Sequence, residues 1–153
     1  METTADAMFP AGDYLIIDPC YVYTGARGIA LLDAIWSTQG GVKTDRVTGC
    51  RFAYSPTATG DGCYTDQDGY LYGVDSGGLA CLPLAMIDAA TLAMLPAYDR
   101  SAEQACSGRL VMFTAPWVCV PCDAQGLIRF GPVEIATGPT WGELLAAEEE
   151  EDC

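Results

Sequence analysis

The chain has 153 residues, with seven Lys or Arg, 21 Asp or Glu and no His, so its formal net charge is −14. This length is typical of one domain with a normal core, and 50% hydrophobic residues argue against disorder. So acidic a surface repels phosphate backbones, which excludes direct nucleic-acid binding from the expected functions. The absence of His excludes Ser-His-Asp and Cys-His catalysis and His-containing zinc sites.

The start of the chain predicts a loop, a strand and a helix. Residues 1–11 have loop composition and are expected to form a loose N-terminal entry to a single domain over residues 12–147. Residues 13–18 form a short, apolar, β-branched run, which predicts a strand buried on both faces that ends at Pro19. Residues 28–39 carry apolar side chains at helical spacing, which predicts a helix that ends at two glycines.

From residue 50 the apolar period changes to two, which predicts strands. The Asp-Gln-Asp-Gly segment over residues 66–69 predicts a hairpin turn, because Asp and Gly tolerate positive φ. Pro83 is well placed to open a second helix that runs through about Leu95. The expected strands cover residues 50–54, 63–65, 70–74, 79–82, 109–114, 117–120, 127–130 and 132–137.

The predicted fold is α+β, predominantly antiparallel β and sandwich- or barrel-like, with two short packed helices. A final helical turn is expected over residues 141–147, and residues 148–153 form an acidic C-terminal tail. No stretch approaches the roughly 18 apolar residues of a membrane span, and the N-terminus lacks the basic start and apolar centre of a secretion signal. We therefore expect a cytoplasmic protein that does not contact a membrane.

Eight cysteines are present. In a cytoplasmic chain they are expected to be reduced and to pack as small hydrophobes. Cys119 and Cys122 form a C-x-x-C motif, which is typical of redox and zinc sites. The sequence predicts a strand that leads into a turn at this point, rather than a helix, and offers no second C-x-x-C pair. We therefore favour a structural role for both.

An acid and a hydroxyl, those of Asp75 and Ser76, stand between glycines at the end of an apolar strand. Consecutive amides near Asp75, Ser76 and Gly77 could form an anion-binding nest, and Asp75 could accept from a hydroxylated ligand. The alternative is a tight corner in which Asp75 and Ser76 cap backbone amides. Asp18 at the end of the first strand presents the same choice, because a buried carboxylate must either be hydrogen-bonded or face a cleft.

Tyrosines accompany these motifs, and each offers a flat apolar face with a polar handle. Packing between strands is their alternative role. No catalytic residue and no cofactor are predicted. The predicted ligand-binding residues are Asp18, Tyr21, Tyr64, Tyr72, Asp75, Ser76 and Gly77.

The acids near the predicted hairpin also resemble part of a calcium loop. Asp66, Asp68, Gly69 and Asp75 match four of its positions, but Tyr64 stands at position one and offers no carboxylate. Position twelve is Asp rather than the longer bidentate Glu. A solvated hairpin turn is therefore favoured, and no metal site is predicted.

Three motifs resemble those of a group of small bacterial and bacteriophage proteins of unknown function. They are Gly12-Asp-Tyr-Leu-Ile-Ile-Asp-Pro-Cys-Tyr-Val22, Gly60-Asp-Gly-Cys-Tyr-Thr-Asp66 and Tyr72-Gly-Val-Asp-Ser-Gly77. Residues 130–137 are similar to the group's closing strand. In the first motif, Ile17 stands before the Asp-Pro-Cys-Tyr segment, where a second glycine is expected. The resemblance spans most of residues 12–137 and implies a phage or prophage accessory protein of a bacterial cytoplasm, with no established activity.

The sequence leaves three functions open. The first is a non-enzymatic accessory binding protein, for example in counter-defence, that engages a host protein or sequesters a small nucleotide-like ligand. The second is a hydrolase in which Asp18, Asp61 and Asp75 hold a divalent ion and activate water. The third is a minor structural protein, for which homo-oligomers are expected.

Overall fold

The computed structural model describes residues 8–22, 25–35, 40–94 and 108–138. These residues form eleven strands, two α-helices and two 3₁₀ helices. The strands are β1 (Met8–Phe9), β2 (Gly12–Ile17), β3 (Gly41–Thr44), β4 (Arg51–Pro56), β5 (Gly62–Asp66), β6 (Leu71–Val74), β7 (Gly78–Pro83), β8 (Arg109–Phe113), β9 (Trp117–Val120), β10 (Leu127–Phe130) and β11 (Val133–Ala136). The helices are α1 (Gly25–Asp33), α2 (Ala89–Met94) and the 3₁₀ helices Pro19–Tyr21 and Leu84–Met86.

The strands form two sheets, and every pairing is antiparallel. The five-stranded sheet has the order β3-β4-β7-β2-β8, and the six-stranded sheet has the order β1-β9-β10-β11-β5-β6. This architecture confirms the predicted α+β fold dominated by antiparallel strands. Within the described residues, no helix has both the length and the apolar character that crossing a membrane requires.

The chain passes between the two sheets at two corners. At the first corner, β1 leads into β2 and β8 leads into β9, and these strands pair as β2 with β8 and β1 with β9. At the second, β4 leads into β5 and β6 leads into β7, with β4 paired to β7 and β5 paired to β6. The connections are two to five residues long. Strands that switch sheets in this way join two sheets into one barrel-like sandwich.

The core has two layers because the five-stranded sheet is covered on both faces. Tyr14 and Ile16 of β2 point into the core between the sheets, and Leu15 and Ile17 point into a second cluster beneath α1 and the 3₁₀ helices. All four side chains are buried. The prediction of a strand buried on both faces is therefore confirmed, and its physical reason is that the six-stranded sheet covers one face of β2 and the helices cover the other.

The hairpins follow the predicted turns. The β5–β6 pair places Tyr64 opposite Tyr72, with the turn over residues 67–70. The β9–β10 pair places Cys119 opposite Phe130. In each, an aspartate at the turn accepts hydrogen bonds from amides two and four residues ahead. Asp side chains that bind nearby amides are the physical basis of such turn signals.

The predicted helix boundaries were wrong. Helix α1 begins at Gly25 and ends at Asp33, followed by a turn through Ile35, and residues 36–39 lie outside the described part of the chain. Pro83 ends β7 and is the N-cap of the 3₁₀ helix Leu84–Met86, so that a short 3₁₀ helix rather than a continuous helix to about Leu95 follows it. Helix α2 starts only after Asp88, whose carboxylate accepts from the amide of Thr91 at 2.7 Å.

Two short strands were not predicted. Residues 8 and 9 of the expected loose entry form β1, and Phe9 is buried. Strand β3 pairs with β4 through a ladder that includes Val42 opposite Ala53. The predicted helical turn over residues 141–147 and the acidic tail over residues 148–153 lie outside the described residues.

Candidate functional site

Asp18 lies at the junction of the apolar strand β2 and the 3₁₀ helix Pro19–Tyr21. Pro19 fixes the backbone where the strand ends, and Asp18 acts as the N-cap of the helix by accepting from the amide of Cys20 at 2.9 Å. Its side chain is completely buried. A buried carboxylate is costly unless hydrogen bonds satisfy it, so its remaining partners decide its role.

Those partners come from the connection between β6 and β7. Asp18 Oδ2 accepts from the amide of Asp75 at 2.6 Å and from the amide of Ser76 at 2.8 Å. Asp18 Oδ1 accepts from the hydroxyl of Ser76 at 2.5 Å. With the Cys20 amide, the carboxylate therefore accepts four hydrogen bonds from its own chain.

This geometry answers both questions that the sequence left open about the corner. The consecutive amides of Asp75 and Ser76 do converge on an anion, as the nest hypothesis requires, but the anion is the carboxylate of Asp18. The hydroxyl of Ser76 is used in the same contact. The arrangement is therefore a tight corner tied to the end of β2.

The side chain of Asp75 points the other way. It is exposed and accepts a hydrogen bond from the hydroxyl of Tyr21. Burial and the nearby Asp75 carboxylate raise the pKa of Tyr21, which keeps its phenol neutral. Burial and the Asp18 carboxylate raise the pKa of Cys20 to about 12, so that its thiol is a poor nucleophile at neutral pH.

Each of the two glycines after Ser76 is required for a different physical reason. Gly77 has a φ of +87°, a conformation that other residues rarely adopt, and its carbonyl accepts from the amide of Thr57 at 3.0 Å. Gly78 leaves room for a neighbouring ring, since a Cβ atom there would overlap the hydroxyl of Tyr54. Gly77 therefore permits the backbone conformation of the turn, and Gly78 permits the close approach of the Tyr54 ring.

Five of the seven predicted site residues meet at this corner: Asp18, Tyr21, Asp75, Ser76 and Gly77. Tyr64 and Tyr72 do not join them. Their rings lie in the core between the sheets. The hydroxyl of Tyr64 donates to the carbonyl of Gly60 at 2.7 Å, and the hydroxyl of Tyr72 donates to Asp66 at 2.6 Å.

Asp66 is the centre of a second polar cluster, which the sequence did not reveal. Its Oδ1 atom accepts from the amides of Asp68 and Tyr70 in the turn. Its Oδ2 atom accepts from Tyr72 and from Nη1 of Arg109 at 2.7 Å. Arg109 also reaches Asp68 at 3.1 Å and lies over the ring of Tyr70. The cluster ties β8 of one sheet to the β5–β6 hairpin of the other.

The acids do not form a metal site within the described residues. No group of three or more His, Cys, Asp or Glu in that part of the chain has a geometry that could hold a metal ion. The resemblance to a calcium loop reflects the turn, in which Asp66 binds amides. The hydrolase hypothesis requires the carboxylates of Asp18, Asp61 and Asp75 to hold an ion together. Both oxygens of Asp18 already accept hydrogen bonds from the protein, and Asp61 is exposed.

The six cysteines among the described residues are of two kinds. Cys20, Cys50, Cys81, Cys119 and Cys122 are free thiols, whereas Cys63 is disulfide-bonded. The expectation that all cysteines are reduced is therefore wrong for Cys63. In the C-x-x-C motif, burial raises the pKa of Cys119 to about 12 and also raises that of Cys122. Neither thiol has the lowered pKa of a redox-active cysteine.

Sequence reasoning also missed a surface feature of β8 and β9. Six large apolar side chains of the described residues are exposed, and four of them lie on these two consecutive strands. Val111, Phe113, Trp117 and Cys119 point inward from the same strands. We call Leu110 and Met112, which are 45% and 69% exposed on the outer face of the five-stranded sheet, the outer stripe. Val118 and Val120, each 37% exposed, face outward from the six-stranded sheet.

An available signal for this surface was the run from Leu110 to Val120. A strand with one face in water alternates apolar and polar residues, whereas in this run both the inward and the outward residues are largely apolar.

Comparison of the chain with protein-family models, with curated proteins and with solved structures finds no match.

Proposed function

We propose that this protein is a non-enzymatic binding protein that engages a partner protein through the outer stripe. The observation that carries the proposal is that Leu110 and Met112, two of the six exposed large apolar side chains of the described residues, lie on one face of β8 and line one groove with Leu84. Exposed apolar residues that are scattered singly need no explanation, but those that share a surface mark interaction sites. Met112 at 69% exposure is the most exposed of the six.

The groups best suited to chemistry favour binding over catalysis. The carboxylate of Asp18 and the hydroxyl of Ser76 are used by each other and by backbone amides. The thiols of Cys20 and Cys119 have pKa values near 12. The small-ligand form of the hypothesis loses the anion nest on which it depended, because Asp18 occupies it. Engagement of a protein is the form that the geometry supports best.

The charge distribution favours a partner with a basic surface. The chain carries a net charge of −14. Asp13 is exposed and lies opposite Met112 in the β2–β8 pair. Arg109, at the start of β8, is neutralised by Asp66 and Asp68. A basic partner would be steered to this surface and held by apolar contacts at its centre.

The resemblance to small phage proteins gives the proposal its setting. In that setting the protein is a phage or prophage accessory factor, and its partner is a host protein. A counter-defence role fits a small, acidic chain of this kind. Homo-oligomers through the outer stripe are the competing outcome, although two chains of charge −14 repel each other.

The experiment is affinity capture from bacterial lysate with matched surface variants. Met112→Asp and Leu110→Asp are expected to lose the captured partner, because each places a charge at the centre of the apolar surface. Val47→Asp is the control, since Val47 is 59% exposed and lies in a turn outside the outer stripe. Equal capture by Met112→Asp and wild type, with both proteins folded, would contradict the proposal.

A further inference from the structure

Strand β8 lies at an open edge of the five-stranded sheet. In the part of the chain that the structure describes, β2 is its neighbour on one side and no strand pairs with it on the other. At the opposite edge, β3 packs near β9, and Gly40 lies so close to Pro121 that a Cβ atom would stand 2.8 Å from it. An unpaired strand edge presents backbone N–H and C=O groups to another chain.

A recess flanks β8 on each face of the sheet. On the helix side, a groove of about 330 Å³ is lined by Asp13, Leu84, Leu110 and Met112. On the other side, a cleft of about 290 Å³ is lined by Asp68, Arg109, Val111 and Phe113, among others. Sites for small molecules span about 300–1,000 Å³, so the two recesses lie at the lower end of that range, and each has room for a few side chains.

An open edge with a recess on each face is the arrangement that strand addition requires. A strand added to a sheet gains affinity from main-chain hydrogen bonds, and its side chains alternate between the two faces. Alternate residues of a strand beside β8 would therefore enter the groove and the cleft in turn. The two recesses and the open edge are separate observations that agree on one kind of occupant.

We propose that β8 binds an extended segment of the partner protein as an added strand, with apolar side chains in the groove and basic side chains toward the cleft. Leu84, Leu110 and Met112 give the groove its apolar wall. In the cleft, Asp66, Asp68 and Arg109 together carry one surplus negative charge. The side chain of Asp68 is 48% exposed and is the carboxylate accessible to a basic residue. This inference rests on the proposed function and specifies how the partner is held.

The test uses a synthetic hexapeptide of alternating Val and Lys as the probe, titrated to millimolar concentration into the full chain and followed by amide NMR. We expect shifts centred on Leu110–Phe113 of β8, and saturation of the signal. A peptide with N-methyl groups on alternate residues keeps the side chains but loses main-chain donors, and is expected to bind at least about tenfold more weakly. A Val-Glu hexapeptide is the charge control and is expected not to bind.

Matched variants check the charge assignment. Asp68→Asn is expected to weaken the Val-Lys probe several-fold, whereas Asp61→Asn, an exposed acid at the other corner, leaves it unchanged. Shifts centred on Gly41–Thr44, equal affinity of the N-methylated probe, or no binding at all would overturn strand addition at β8. Loss of partner capture by Met112→Asp alongside any of these results would retain the proposed function and reject only this mode of binding.

Discussion

Asp18 accepts hydrogen bonds from both the amide and the hydroxyl of Ser76, which lies 58 residues further along the chain. This contact joins the end of β2 to the corner where the chain passes from the six-stranded to the five-stranded sheet. The corner therefore holds an internal anion in a place where the sequence alone allowed a ligand. In an anion nest such amides would bind a phosphate, whereas here they bind the carboxylate of Asp18.

Replacement of Asp18 should destabilise the protein. Asp18→Asn keeps the size of the side chain but turns one acceptor into an –NH₂ group that faces the donors of Asp75 and Ser76. We expect the free energy of unfolding to fall by about 3 kcal/mol, as is typical when a buried, hydrogen-bonded charge is removed. Urea denaturation measures the change.

Asp75→Asn is the matched control, because the Asp75 side chain is exposed and only its amide contacts Asp18. It should cost less than about 1 kcal/mol. Equal destabilisation by the two variants would contradict this assignment, because the exposed side chain of Asp75 would then matter as much as the buried Asp18 carboxylate.

Gly78 should be sensitive to the smallest side chain. A Cβ atom there would overlap the hydroxyl of Tyr54 and stand 2.7 Å from the carbonyl oxygen of Ser55. We expect Gly78→Ala to cost about 2 kcal/mol, in the range typical of overpacking. In a Tyr54→Phe background the cost should fall only in part, because the hydroxyl is gone but the ring carbon Cζ still stands 2.5 Å from the Cβ position, and a double-mutant cycle by urea denaturation measures this coupling.

Gly77→Ala separates space from backbone conformation. A Cβ atom at Gly77 meets nothing within 4 Å, but its φ is +87°. We expect a cost of about 1 kcal/mol that Tyr54→Phe does not change. A cycle in which Gly78 and Tyr54 act independently would contradict the close approach of ring and strand.

Much of the fold could be predicted from local patterns. Residues 14–17 are apolar at four consecutive positions, as a strand covered on both faces requires. The β5–β6 turn was predictable because Asp66 and Gly69 have a direct role in it. Strand β3 was not, since Gly41–Thr44 is short and is held by pairing with β4 rather than by its own composition.

The candidate site shows the limit of local reasoning more sharply. Turn chemistry was predicted separately for Asp18 and for Asp75-Ser76, and both turns exist. The hydrogen bonds between Asp18 and the Asp75-Ser76 turn are a tertiary contact, which no short-range pattern encodes. The outer stripe was missed for a related reason, because the exposure of Leu110 and Met112 depends on where the helix layer ends.

Arg109 should contribute more to stability than a surface arginine. Its guanidinium contacts the buried Asp66 at 2.7 Å, and its side chain is only 15% exposed. Arg109→Met keeps most of the apolar stem but leaves the Asp66 carboxylate without its cation. We expect a loss of about 3 kcal/mol in urea denaturation. Arg129→Met is the control, since Arg129 pairs with Glu134 at the surface, and it should cost less than about 1 kcal/mol.

The thiols should react in an order set by burial. Iodoacetamide attacks the thiolate, and pKa values near 12 leave Cys20 and Cys119 almost fully protonated at pH 8. In the native protein both should remain unmodified while denaturation makes them reactive. Cys63 should be modified only after reduction, because it is disulfide-bonded. Peptide mass spectrometry reads all three, and alkylation of Cys63 without reductant would contradict the disulfide.

Asp45 should make part of the stability depend on pH. Burial would raise its pKa, but hydrogen bonds from Thr48 and from the Arg27 guanidinium outweigh burial and hold the pKa below its ordinary value of 3.8. Arg27 contacts both oxygens of the Asp45 carboxylate, at 3.0 and 2.8 Å, and the side chain of Asp45 is fully buried. A group whose pKa is lower in the folded state stabilises the fold above its unfolded pKa and loses that effect as pH falls through the folded value.

We therefore expect the free energy of unfolding to be steady with respect to Asp45 at neutral pH and to fall in acid, below pH 3.8. Asp45→Asn should cost about 2 kcal/mol at pH 7, and the difference from wild type should shrink as the pH is lowered through that range. Asp33→Asn, at an exposed position on α1, is the control for the loss of a surface carboxylate and should cost less than about 1 kcal/mol at pH 7. Urea denaturation from neutral to acid pH measures the three proteins together. A constant difference between Asp45→Asn and wild type would mean that the ion pair with Arg27 does not lower the pKa of Asp45.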